Sequence, residues 1–250
     1  MSLANIQTLA DAIKKADHII AFTGAGMSTD SGIPDFRSPG GKWSKVKPVM
    51  FQDFISNDES RFEYWRQKSE GFEEFGNAKP NAGHQTLACW EQNRGLRGIV
   101  TQNIDGLHQD AGNEVVLEIH GTARDVLCLH CGFRDIADDY CKYFLQQRAV
   151  PSCPSCSTGL LKHATISFGQ QLDANVLKAA NTMVRTADLM LVMGSSLLVE
   201  PAASLPVTAK QYGSKLVIIN RDATQLDSFA DLVIRDNIAK TLTATEAILN

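Results

Sequence analysis

Four of the six cysteines stand in two Cys-x-x-Cys pairs, a spacing typical of a metal site. The pairs are separated by 21 residues, and each can offer two thiolates from one tight turn. Four thiolates form the closed tetrahedral ligand set of a structural Zn²⁺. The pattern therefore predicts one structural zinc ion, held by Cys128, Cys131, Cys153 and Cys156. The alternative is a redox-active pair, which would need only one of the two.

The other cysteines and a nearby histidine fit less active roles. His130 lies between two of the predicted ligands and could replace one of them, although four sulfurs already suffice. Cys89 and Cys141 are predicted to be small buried apolar side chains. The N-terminal residues lack the continuous apolar core of a signal peptide, so we expect a cytoplasmic protein in which structural disulfides are rare.

A glycine-rich turn over residues 23–28 follows the first apolar run and is a candidate phosphate site. Backbone amides can approach a pyrophosphate at such a turn, and a following helix N-terminus adds partial positive charge. The signal is weak alone, because Thr29 occupies the third glycine position of Gly-x-Gly-x-x-Gly. The next segment, residues 29–38, places Asp35, Phe36 and Arg37 in a loop beside the turn, which favours a functional loop over an ordinary surface turn.

These residues need a scaffold, and the apolar runs predict one. Strands are predicted at residues 18–22, 98–102, 115–119, 189–193, 216–219 and 232–234, and helices at 3–13 and around 82–92, 172–186, 201–212 and 239–249. The strand runs are apolar throughout, as in parallel sheets that are buried on both faces. The alternation predicts an α/β fold, a Rossmann-like doubly wound parallel sheet. Asn103 and Asp105 then lie at the carboxyl end of a strand, where ligands bind.

Two segments interrupt this rhythm and predict a smaller inserted domain. Residues 41–79 are rich in aromatic and charged side chains, and residues 124–160 contain the cysteines. We assign both to a small zinc-binding domain, and residues 1–40, 80–123 and 161–250 to the Rossmann-like domain that carries the candidate phosphate site.

Composition excludes several classes of protein. The 250 residues are 44% hydrophobic and 21% charged, which is typical of a globular chain. The formal net charge of −4 argues against direct nucleic-acid binding, and the apolar runs are far shorter than the roughly 18 residues that span a bilayer. We expect no membrane partner and a monomer.

The segment 24–38 resembles the signature of the sirtuins, the Sir2-type NAD-dependent protein-lysine deacylases. Further segments similar to the family's motifs follow in its order, at residues 101–108, 120–122, 168–169, 194–202 and 219–220, with the four cysteines between them. The resemblance covers roughly residues 20 to 240 and is typical of a minimal bacterial or archaeal member.

The resemblance implies a reaction and a set of site residues. An acyl-lysine would pass its acyl group to ADP-ribose while nicotinamide leaves, and acetyl is the acyl group that we expect first. His120 would act as the general base, a role that suits an ordinary histidine pKa of about 6.5; without its neighbours it would be an ordinary strand-end histidine. Asn103 and Asp105 would hold the nicotinamide carboxamide or order water. The implied NAD contacts are Gly24, Ala25, Gly26, Ser28, Ile33, Asp35, Phe36, Arg37, Gln102, Asn103, Ile104, Asp105, Gly194, Ser195, Ser196, Asn220, Asn237 and Ile238.

The implied peptide contacts are Ile166, Phe168, Gly169 and Val199, which would pair with acyl-lysine peptides or proteins as an added strand. Here the chain departs from the family, because Gln170 replaces the usual glutamate after Phe-Gly. The Tyr-x-x-Arg motif associated with succinyl-lysine is also out of register, since Gln67 stands three positions after Tyr64. Arg66 or Lys68 could still meet an acidic acyl group such as succinyl or malonyl, so that preference stays open.

Three other functions compete with deacetylation. NAD hydrolysis or mono-ADP-ribosyl transfer could use the same scaffold, although related hydrolases generally lack the four-cysteine module. A zinc-ribbon adaptor for nucleic acid would need a basic stripe. A nicotinamide oxidoreductase would need an acidic residue after the second strand, which cannot be placed.

Overall fold

The computed structural model describes residues 2–35, 41 and 46–250, so the predictions for Phe36 and Arg37 lie outside the described residues. The strands are β1 Ile19–Thr23, β2 Leu96–Thr101, β3 Val116–Glu118, β4 Gly121–Cys128, β5 Arg134–Ile136, β6 Leu161–Thr165, β7 Leu189–Met193, β8 Lys215–Ile219 and β9 Leu232–Ile234. The α-helices are α1 Leu3–Lys15, α2 Phe51–Ser56, α3 Asp58–Glu70, α4 Phe72–Asn77, α5 Ala82–Asn93, α6 Leu107–Asp110, α7 Ala137–Gln147, α8 Ala174–Arg185, α9 Leu205–Gln211 and α10 Ile238–Leu249.

The larger sheet has six parallel strands in the order β3-β2-β1-β7-β8-β9. After β3 the chain returns to the other side of β1, so the order reverses between β1 and β7. A crevice opens at the carboxyl ends of two strands at such a reversal, and ligands bind there. The α/β class predicted from the apolar runs is confirmed.

Helices cover both faces of this sheet. Successive strand residues point to opposite faces, so each strand contributes side chains to two cores. Ile19 and Ala21 pack into a core with α1, α5 and α10, whereas Ile20 and Phe22 pack into a second core with α8 and α9. Helix α1 buries one stripe, Ile6, Leu9, Ala10 and Ile13, at the spacing of helical turns. Each large buried side chain of this kind contributes about 1.5–3 kcal/mol.

A second, antiparallel sheet has the order β5-β4-β6 and a core of its own. That core joins Phe54 of α2, Trp65 of α3 and Phe144 of α7 to Val126 of β4 and Leu161 of β6. The sheet extends over 121–128 and 161–165, beyond the predicted limits at 124 and 160. The division into two domains stays a prediction.

One local expectation is wrong, that of a helix directly after the glycine-rich turn. No α-helix begins within residues 24–35; Ala25–Met27 and Thr29–Ser31 are single 3₁₀ turns instead. The helical stretch predicted around 201–212 is present, as a 3₁₀ turn at Ala202–Ser204 that continues into α9. Among the described helices, none combines the length and the apolar character that crossing a membrane requires.

Candidate active site

Two glycine turns meet where the strand order reverses. The Gly26 amide donates to the Gly194 carbonyl at 2.9 Å, and the Gly24 amide donates to Met193 at 2.9 Å. A Cβ on Gly26 would lie 2.7 Å from the Gly194 Cα, and one on Gly194 would lie 2.5 Å from the Met27 nitrogen. Gly194 also has φ +66, which favours glycine. The turns after β1 and β7 therefore approach as closely as they do only because both lack side chains.

A cavity of about 1200 Å³ opens beside these turns and runs toward α3 and β6. It gathers residues that are far apart in sequence. The predicted residues that line it are Ala25, Gly26, Asp35, Gln102, Asn103, Ile104, His120, Ile166, Phe168, Gly169, Gly194, Ser195, Ser196, Val199, Asn220, Asn237 and Ile238. Gly24, Ser28, Ile33 and Asp105 do not line it.

Asp105 and Ser28 form a buried layer behind Asn103. The Ser28 hydroxyl donates to one Asp105 carboxylate oxygen at 2.7 Å, and the Leu107 amide donates to the other at 3.0 Å. Asn103 Nδ2 donates to the Ser28 oxygen at 3.1 Å. These bonds fix the Asn103 side chain at the cavity wall. The Asp105 carboxylate does not line the cavity, so it would act on a ligand there only through Ser28 and Asn103.

His120 stands at the junction of the two sheets, immediately before β4. Its Nδ1 lies 3.1 Å from the Gln102 carbonyl, which can only accept, so Nδ1 carries the proton. The other nitrogen, Nε2, is then the unprotonated acceptor. Burial lowers the pKa of His120, against the hydrogen bond to Gln102, which raises it. The ring is thus a neutral imidazole at neutral pH, the form that can remove a proton from a hydroxyl.

Gln102 connects His120 to the second glycine turn. Its side-chain oxygen accepts from the Ser195 hydroxyl at 2.8 Å, and its backbone amide donates to the Thr23 carbonyl at 2.9 Å. The two turns and the histidine therefore share one hydrogen-bonded frame.

The far end of the cavity lies beyond β8 and β9. The Asn220 amide donates to Ile234 at 3.1 Å, and its side chain donates to Asp222. Asn237 caps α10, because its Oδ1 accepts from the Lys240 amide at 2.8 Å. Its side chain is thereby occupied, so any ligand contact at Asn237 falls to the backbone.

Sequence reasoning missed a polar cluster under the floor of the site. Thr23 Oγ1 lies 2.8 Å from Thr101 Oγ1 and 2.9 Å from His108 Nε2. The His84 and His108 rings meet edge to face at 4.9 Å, and burial lowers the pKa of His108 to about 3. His108 ends the segment 101–108 that carried the resemblance, but nothing in its type or spacing indicated a buried ring.

The four cysteines converge at the end of the small sheet, outside the cavity. Their sulfurs all lie within 4.8 Å of one another, with Cys128–Cys156 and Cys131–Cys153 each at 3.7 Å. Zinc–sulfur bonds of about 2.3 Å at tetrahedral angles place sulfurs about 3.8 Å apart. A Cβ on Gly159 would lie 2.2 Å from the Cys128 sulfur, so this turn requires a glycine. The set fits one zinc ion. Cys141 is buried as predicted, whereas Cys89 is only partly buried.

Known proteins and one family model are similar to this chain over most of its length. The family model described as "Sir2 family" matches residues 24–201. The NAD-dependent protein deacetylase of Rhodopseudomonas palustris is 42% identical over 241 residues, 96% of this chain and 95% of the relative. That of Thermodesulfovibrio yellowstonii is 43% identical over 92% of this chain and 90% of the relative.

Solved structures give the same result. A Sir2 structure with a p53 peptide and NAD⁺ is 34% identical, with a TM-score of 0.88 over 97% of this chain and 98% of that one. A Sir2 variant with a deacetylated p53 peptide and 3′-O-acetyl ADP-ribose has a TM-score of 0.90 at 33% identity, covering 98% of both chains.

Proposed function

The chain belongs to the Sir2 family, and we propose that it is an NAD-dependent protein-lysine deacetylase. It would move an acetyl group from a lysine side chain to ADP-ribose and release nicotinamide. The observation that carries the proposal is the single cavity in which the interlocked glycine turns, His120 and the segment around Phe168 meet. NAD is consumed in this reaction, and it supplies the ribose that accepts the acetyl group.

The residues of the cavity divide the work. Gly26 and Gly194 let the two turns pack together, which would bring the backbone groups of both turns to the NAD phosphates. Asn103, held by Ser28 and Asp105, would hold the nicotinamide carboxamide. His120 would accept a proton from a ribose hydroxyl at its unprotonated Nε2, which would make that oxygen a better nucleophile. Ile166 and Phe168 offer backbone groups to the substrate peptide.

On the α3 side of the cavity, the pairing of Arg66 favours acetyl over an acidic acyl group, although Lys68 of the same helix also lines the cavity. The Arg66 guanidinium is bound by the carboxylates of Glu63, at 2.7 Å, and Glu70, at 2.6 Å. Gln67 donates to Glu63 and to the Lys47 carbonyl, at 2.7 and 3.0 Å. Arg66 is therefore already paired, and two carboxylates beside it would repel an acyl carboxylate.

The test is incubation with NAD and an acetyl-lysine peptide, followed by mass spectrometry of the peptide and of acetyl-ADP-ribose. We expect peptide-dependent loss of acetyl and equal amounts of the two products. Free ADP-ribose formed without peptide would instead indicate NAD hydrolysis and would overturn the proposal.

His120→Ala tests the role of the base. We expect deacetylation to fall by roughly 10²–10⁴-fold, the usual contribution of a general base. The exposed His18 gives a matched control, and His18→Ala should retain full turnover. A His120→Ala protein with normal turnover would refute the assignment.

A further inference from the structure

Lys162 is a buried lysine beneath the segment that would bind the peptide. The residue is 1% exposed and lies in β6, a few residues before Ile166. Its ammonium donates to the Thr165 carbonyl, to the His163 carbonyl at 3.0 Å and to the Gln170 side-chain oxygen at 3.4 Å. Lysine is almost never fully buried unless its charge is paired, because that charge is costly to remove from water.

These contacts hold the two ends of one turn. Thr165 ends β6, and Gln170 closes the turn, since its side-chain oxygen also accepts from the Ser167 amide at 3.1 Å and its own amide donates to the Ser167 carbonyl at 2.9 Å. Between these ends lie Ile166, which donates to His120 at 2.8 Å, and Phe168, which accepts from the Phe51 amide at 2.8 Å. A single ammonium therefore braces the segment from below.

The partners of this ammonium are all neutral. Among the described residues, no carboxylate lies within ion-pair distance of Lys162. From α3, Tyr64 presents its ring 5.8 Å from the ammonium, and Lys68 adds a second positive charge over the same ring.

The remaining ionisable groups around Lys162 do not neutralise it. His163, its neighbour in β6, is kept neutral by burial, which lowers its pKa to about 3. Cys141 of α7 lies 3.4 Å from His163, and burial raises its pKa to about 11. From β4, Arg124 and Asp125 pair with other partners, Asp110 and Arg134.

We propose that Lys162 is the positioning residue of the substrate segment, holding residues 165–170 in the conformation that pairs with the acyl-lysine peptide. Gln170 offers an uncharged amide oxygen, so it supplies no negative charge to hold the proton on Lys162. When Lys162 loses that proton, its support of the segment weakens. The inference rests on the proposed function, since it concerns the peptide of that reaction.

The pH range follows from the surroundings. Burial, and then the charge of Lys68, lower the pKa of Lys162 to about 7. A neutral amine has only two N–H groups for three acceptors, so at least one of the Thr165, His163 and Gln170 oxygens loses its bond above that pH, and the support of the turn weakens. The expected result is a KM for peptide that rises with pH above about 7, while the KM for NAD does not.

Substitution of the lysine separates positioning from folding. Lys162→Met keeps the length of the side chain but removes the donors, and we expect the peptide KM to rise roughly tenfold, as loss of charge-assisted hydrogen bonds predicts. The NAD KM and zinc content should stay unchanged. Lys162→Arg should restore much of the peptide KM, and the exposed Lys14→Met should have no effect. An unchanged peptide KM in a folded Lys162→Met protein would overturn the proposal.

Substitution of the partner tests the charge. Gln170→Glu gives Lys162 a carboxylate, so the rise of peptide KM should begin at least about one pH unit higher. Gln171→Glu adds the same charge one residue away and should leave the profile where it is. Identical pH profiles in the wild type and Gln170→Glu would contradict the proposed role.

A measurement without turnover keeps this inference distinct from the proposed function. In protein labelled with ¹³C at the lysine ε-carbon, NMR titration should show one lysine with a pKa near 7, absent from Lys162→Met and shifted upward in Gln170→Glu. If that titration is observed while no deacetylation occurs, the proposed function fails and the buried ammonium stands. If every lysine titrates near 10, the pH-dependent support is refuted.

Discussion

At the scale of single residues, the site depends on which nitrogen or oxygen is left over after the internal hydrogen bonds are made. His120 gives its Nδ1 proton to Gln102, so Nε2 is the only ring nitrogen that can accept. Asn237, by contrast, uses both ends of its amide, donating to Asp30 and accepting from Lys240. Residue type suggested ligand contacts at both positions, but only the hydrogen-bond partners distinguish an available group from an occupied one.

The pKa of His120 predicts the acidic limb of the pH profile. Burial lowers this pKa below the ordinary 6.5, and a general base works only in its neutral form. We therefore expect kcat/KM to fall with decreasing pH at a midpoint below 6.5, as measured in a deacetylation assay at saturating NAD. A midpoint above 6.5 would mean that the histidine is more exposed, or more strongly paired with an acid, than the structure shows.

At the scale of elements, the fold was largely predictable but the contacts between elements were not. The apolar runs located the six strands of the larger sheet within about two residues, because a strand buried on both faces must be continuously apolar. The small sheet was missed, since β4 and β6 are partly polar and separated by more than thirty residues. The burial of Lys162 follows from that pairing, so no local pattern could indicate it.

The interlocked glycine turns give a prediction at the same scale. Gly194→Ala places a methyl group 2.5 Å from the Met27 nitrogen and also strains a residue with φ +66. The turns after β1 and β7 must then separate, and we expect NAD to bind at least roughly tenfold more weakly, as measured by calorimetry.

Gly213→Ala is the matched control for this change. Gly213 has φ +94, but a Cβ there would have no atom within 4 Å. It should therefore show the cost of left-handed backbone alone, about 1–2 kcal/mol of stability, with normal NAD affinity. Equal losses of NAD binding in both variants would show that backbone strain, rather than the close approach of the turns, is responsible.

At the scale of the whole molecule, His120 and the four-cysteine cluster lie at the two ends of one strand. His120 directly precedes β4 and Cys128 ends it, so about 25 Å of strand separates the two residues. Cys128 and Cys153 are part of the core that holds β4 and β6 against α3 and α7. A zinc ion bound by these cysteines would therefore stabilise the sheet from which His120 and residues 166–170 both extend, without being part of the cavity.

Removal of zinc should accordingly impair activity at a distance. Cys128→Ser, or treatment with a strong chelator, should release one zinc ion per chain and lower the melting temperature by roughly 10 °C or more, because the free energy of zinc binding is part of the free energy of folding. We expect deacetylation to decline together with the structure of the small sheet, while the parallel sheet retains NAD binding. Cys89 lies outside the cluster, so Cys89→Ser should change neither metal content nor activity.

The decisive comparison is peptide affinity against NAD affinity in the zinc-free protein. Loss of both to the same extent would mean that the two sheets unfold as one cooperative unit, whereas full retention of turnover would show that β4 keeps His120 in place without the metal.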